Sequence, residues 1–102
     1  MEVVLAYEWE GFADGPLAEA ASADAFLAAH RNSPIAPHVH LFSGHRKLCA
    51  VSDYTGADPT TPESRRITRD ANRDLQLARD AGHPLLRVAA DYLLRTRKCF
   101  ER

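Results

Sequence analysis

"APHVHLFSGHRKLCAV", residues 36–51, is the stretch on which the fold turns. Its first half alternates: His38 and His40 fall on one side of an extended chain, Val39 and Leu41 on the other. Gly44-His45 then suits a tight type II′ turn, where glycine takes the first central position. Paired across that turn, Val39, Leu41, Leu48 and Ala50 share one face, and His38, His40, Phe42, Lys47, Cys49 and Val51 share the other. The expectation is an antiparallel β-hairpin with the first face toward the core.

That pairing creates the chain's clearest constellation. His38 and His40, two apart on a strand, project their imidazoles to one side, with Cys49 opposite. Neutral imidazole and thiolate are the ligands that a tetrahedral zinc ion takes. His38, His40 and Cys49 are therefore an alternative metal site, with zinc as the implied ion and a small metal- or histidine-dependent enzyme as the implied function. The plainer reading is a strand pair with histidines on its outer face, and no cofactor.

Working outward, "EVVLAYEWE" (2–10) also alternates and reads as a half-buried strand carrying Glu8 and Glu10 at a solvated edge. Pro16–Arg31 is alanine-rich and reads as a helix with Pro16 at its first position. Ser22 is a competing start for a shorter one. This helix has little bulk and should lie close against a sheet. "DYTGADPTT" (53–61) is a loop by its Asp, Thr, Gly and Pro content.

The segment 62–81 opens with a strong helix signal: Thr61 as N-cap, Pro62 at N1 and Glu63 in the first turn. Ile67, Ala71, Leu75 and Ala78 make one apolar stripe. Arg65, Arg66, Arg69 and Arg73 lie mostly off it, with Asp70, Asp74 and Asp80 interleaved. The last segment, 84–98, reads as a helix presenting Leu85, Ala89, Tyr92 and Leu93, with a returning strand as the alternative. The order β-α-β-β-α-α implies an α+β, two-layer domain spanning 1–102, with helices packed on one face of a three-stranded antiparallel sheet.

Composition bounds the function. The chain has 102 residues, 45% of them hydrophobic and 26% charged, which fits one globular domain. No apolar run approaches the ~20 residues that cross a membrane, and the N-terminus does not resemble a signal peptide. Two cysteines are too few for a disulfide framework, so both are expected to stay reduced in a cytoplasmic protein. Residues 1–29 carry six acidic side chains and no Lys or Arg. Residues 30–102 carry all thirteen basic ones against eight acidic. No Gly-rich phosphate loop occurs.

The sequence thus favours a small non-enzymatic regulatory protein that works by protein–protein contact. Its candidate binding residues are Glu8, Glu10, Asp53, Tyr54, Asp58, Arg65, Arg66, Arg69 and Arg73. A nucleic-acid-binding domain using the Arg-rich helix and the basic C-terminus is the alternative. The open edges of a small sheet allow a homodimer.

Overall fold

The computed structural model describes residues 13–52 and 55–99. Four helices account for its regular structure: α1 (Asp14–Ala29), α2 (Ala36–Ala50), α3 (Pro62–Arg79) and α4 (Pro84–Thr96). The described residues contain no strand, so the expected α+β architecture with an antiparallel sheet is wrong. The described residues form an all-helical domain of four helices. The strand expected over 2–10 lies outside the described residues, as do Asp53 and Tyr54.

The opening stretch is where the correction falls. Residues 36–50 are one helix, with Pro37 in its first turn. Its inward positions, Leu41, Gly44 and Leu48, step by three and four, and Leu41 and Leu48 join the central cluster with Ala71 and Leu75. Gly44 is not at a turn. A Cβ there would stand 2.8 Å from Leu75 Cγ and 3.2 Å from the Ala71 carbonyl oxygen. The missing side chain lets α2 and α3 approach closely. Five alternating residues satisfy a strand and a helix equally, and tertiary packing decides between them.

Both ends of α2 are tied off. Ser33 supplies its hydroxyl to Ile35 N–H and its carbonyl to Ala36 N–H, turning the chain into the helix. At the other end Ser52 and Thr55 hydroxyls donate to the Cys49 and Ala50 carbonyls, among the last of the helix, which have no intrahelical N–H to accept.

The other helices follow their sequence signals more closely. In α1, Pro16, Glu19, Ala20, Ala23 and Leu27 form the buried stripe, which packs against α2 rather than against a sheet, with the small Ala20 and Ala23 within it. Ser22 does not begin a shorter helix. Thr61 caps α3 by accepting the Ser64 N–H at 3.1 Å. Helix α4 confirms the helical reading of the last segment in another register. Leu86 and Ala90 are buried, Leu93 and Leu94 pack on the core, and Leu85 is 86% exposed.

Helix α2 is the hub, in contact with α1, α3 and α4, and α4 also lies along α3. A Cys49–Cys99 disulfide fastens the segment after α4 back onto α2. The expectation of two reduced cysteines is corrected accordingly. No helix among the described residues is long and apolar enough to cross a membrane.

Candidate functional site

Once 36–50 is a helix, His40, Ser43 and Lys47 fall on one side of it, at spacings of three and four. That side meets two aspartates. Lys47 Nζ donates to Asp74 of α3 at 2.6 Å and to Asp24 of α1 at 3.1 Å. His40 Nδ1 lies 2.8 Å from the other Asp74 oxygen. The Ser43 hydroxyl donates to Asp24 at 2.7 Å. Burial disfavours the Lys47 ammonium, but the Asp74 and Asp24 carboxylates outweigh it and hold its pKa above the ordinary lysine value. The network borders an open cleft of about 280 Å³ that Leu27, Asp70 and Arg73 also line.

An imidazole held by a carboxylate at Nδ1 has the orientation of a general base. Here, however, the carboxylate is shared with Lys47, and the one hydroxyl in the network, on Ser43, is fully buried and given to Asp24. No buried side-chain nitrogen or oxygen among the described residues lacks a partner. The arrangement is a saturated ionic clamp joining α1, α2 and α3.

A second polar lock lies further along α2. Glu19, only 1% exposed, accepts from Arg46 Nε at 2.8 Å. The Arg46 guanidinium also stacks 4.1 Å from the Phe42 ring centroid. Its Nη1 donates to His45 Nδ1 at 2.7 Å. Because guanidinium can only donate, His45 carries its proton on Nε2, which donates to the Cys99 carbonyl at 2.7 Å. Burial, ahead of the Arg46 charge, pushes the His45 pKa below its usual value.

The proposed ligand trio does not assemble. On a helix His38 and His40 point about 200° apart. Cys49 returns to the His38 side, but about 16 Å further along the axis at 1.5 Å per residue. His38 is exposed, and its ring lies against that of His83, 5.5 Å between centroids and tilted by 54°. His40 belongs to the clamp and Cys49 to the disulfide.

The arginines, by contrast, do gather. Arg65, Arg66, Arg69 and Arg73 fall within an arc of about 100° around α3. The arc lies opposite the buried Ser64, Ala71, Leu75 and Ala78. All four are exposed, and none forms an ion pair among the described residues. The interleaved aspartates are diverted: Asp74 into the clamp, Asp70 to the cleft, Asp80 to Arg79. Arg97, the left-handed cap of α4, donates to Asn72 Oδ1 and carries the basic surface onto α4.

Asp58 is structural: it accepts from the Thr60 N–H and hydroxyl, which lower its pKa, and shapes the turn into the α3 cap. Glu8 and Glu10 lie outside the described residues. The sequence did not single out Glu19 and Asp24, which lie in a segment that reads as a helix, or His45 and Arg46, whose only signal is helical spacing in a stretch that reads as extended. No protein-family model, curated protein or solved structure matches the chain.

Proposed function

We propose that the protein works by binding rather than turnover, as a regulatory or accessory domain that docks an acidic protein surface on the arginine face of α3. The observation that carries this reading is the face itself: four exposed guanidinium groups, free of ion pairs among the described residues, opposite the buried side of the helix. Leu77, 47% exposed, borders the same arc, and Leu85 and Val88 at the start of α4 are 86% and 67% exposed. Arginine is enriched in protein interfaces and at their hot spots, and solvent-facing aliphatic groups add apolar contact area. Two copies meeting arginine face to arginine face would repel, which favours a different, acidic partner over a homodimer through this surface.

The test is a photo-crosslinking residue at Leu77, introduced in the source cell, with and without Arg65→Glu/Arg69→Glu. Capture of one acidic protein, lost in the double variant while its helical circular dichroism persists, supports the reading. Capture indifferent to both charge reversals sinks it.

Nucleic acid is the second reading, favoured because the four guanidinium groups of the arc form no ion pair among the described residues and the basic face continues toward Arg97. Its signature is affinity for duplex DNA or RNA that falls steeply with salt, as released counterions require. Either reading goes with a cytoplasmic setting, in which Cys49–Cys99 acts as a reversible link rather than a permanent staple.

A further inference from the structure

We propose that reduction of Cys49–Cys99 converts the disulfide into a zinc site whose third ligand is His45. The two sulfurs and a ring nitrogen of His45 lie within 4.8 Å of one another. In a tetrahedral zinc centre with bonds of about 2.0–2.3 Å, ligand atoms stand roughly 3.5–3.8 Å apart. The three groups are therefore gathered almost to coordination distance. This site shares only Cys49 with the trio suggested by the sequence.

Each ligand has a reason for its place. His45 and Cys49 are four apart on α2, so one helix face presents both. The Cys49 sulfur is 3.9 Å from His45 Nδ1 and 3.6 Å from Nε2. Cys99 lies beyond the end of α4, on a short non-helical segment that can shift while α2 stays put.

The supporting shell is also present. Metal-bound histidines commonly donate the second ring N–H to a carbonyl or carboxylate, which fixes the tautomer. The His45 Nε2–H already does so, to Cys99 O, leaving Nδ1 with its lone pair. Arg46 Nη1 now occupies Nδ1 and must withdraw, but Glu19 and the Phe42 ring still hold that side chain.

The chemistry balances in two steps. A dithiol reductant delivers two electrons and two protons to the Cys49–Cys99 bond and closes to its own disulfide, leaving two thiols. Zinc then displaces both thiol protons to water and binds two thiolates and His45 Nδ1, with a water molecule completing four-coordination. Thiolate and imidazole together select zinc over magnesium or calcium. The oxidised protein has no thiolate to offer, so the site exists in one redox state only.

The experiment uses the full, untagged chain, oxidised or reduced under argon, with zinc measured by competition against a chromophoric chelator. The reduced protein should bind one zinc per chain and the oxidised protein none. Cobalt should give a sulfur-to-metal charge-transfer band in the reduced form alone. His45→Gln should weaken zinc binding by about 10-fold or more. No cysteine-to-serine variant is needed: zinc should protect Cys49 and Cys99 of the reduced wild type from alkylation. Absence of stoichiometric zinc in the reduced protein, or unchanged affinity in His45→Gln, overturns the proposal.

Discussion

Gly44→Ala should destabilise the protein, although alanine is the better helix former. In an open helix the exchange would gain about 1 kcal/mol. Here the new methyl meets Leu75 Cγ at 2.8 Å, Leu75 Cδ2 at 2.9 Å and the Ala71 carbonyl at 3.2 Å. Relaxed carbon contacts lie at about 3.5–4.0 Å, so the overlap with Leu75 is roughly 0.6–1.2 Å. Leu75 is fully buried and cannot swing into solvent, and the Ala71 oxygen belongs to the α3 backbone. The helices must separate, at the upper end of the about 1–3 kcal/mol typical of overpacking. Net of propensity, the loss is about 2 kcal/mol, which for a domain this size lowers Tm by about 10 °C.

The decisive assay is a double-mutant cycle by urea denaturation. Leu75→Ala alone should cost about 2–5 kcal/mol through its cavity. In that background the Gly44 methyl enters vacated space, and Gly44→Ala should become neutral or stabilising by up to about 1 kcal/mol. A coupling energy above about 1 kcal/mol is the expected result. A hairpin turn would also reject alanine at Gly44, but through backbone strain that Leu75 cannot relieve. Equal destabilisation in both backgrounds would therefore refute the helix crossing.

Other perturbations read the two polar locks and the staple. With metal chelated, reduction should lower the unfolding free energy by about 4 kcal/mol, the chain-entropy value for cysteines 50 apart, and coincident urea curves would contradict it. Glu19→Ala should cost about 1.5–3 kcal/mol, because it removes the buried carboxylate that accepts from Arg46 Nε, and a loss under about 0.5 kcal/mol would show that the pair is not sealed from water. His45 has a folded-state pKa below 6.5, so the unfolded chain takes up its proton first as the solution is acidified. Its contribution is complete above the unfolded value and is lost as pH falls through the folded one. Stability should thus drop more between about pH 7.5 and about pH 5 in the wild type than in His45→Gln, and parallel profiles would remove His45 as the cause.

Where the sequence was legible, a local signal and a packing demand agreed. Thr61, Pro62 and Glu63 start α3 as their chemistry requires, and the stripe Ala71–Leu75–Ala78 is buried. Residues 36–50 failed because the local signal was neutral. His, Val, Leu and Phe in alternation suit a strand. The determinants of the helix lie elsewhere, in Leu75 above Gly44 and in Asp24 and Asp74 opposite Ser43, His40 and Lys47. No reading confined to that stretch contains those partners. The same error misplaced the chemistry. Strand spacing put His38 and His40 together, whereas helical spacing separates them and brings His45 to Cys49.

Charge on α3 shows how the fold changes the meaning of a sequence. Along the chain Arg and Asp alternate, which reads as a self-neutralising solvated helix. Around the axis they separate, because the core contact fixes which side faces inward and the aspartates fall on its flank. Lys47 then engages Asp74 from α2, and Arg65, Arg66, Arg69 and Arg73 are left without an intramolecular ion pair among the described residues. The clamp and the arginine face are thus linked: the same rotation of α3 that seals the first exposes the second. Lys47→Met, which leaves Asp74 charged but without its ammonium, should therefore weaken binding at the arginine face even though Lys47 lies outside it. The expected effect is modest, since Asp74 stays on the far side of the helix and water screens it. Partner affinity unchanged while the clamp is lost would show that the two surfaces, though set by one rotation, do not communicate.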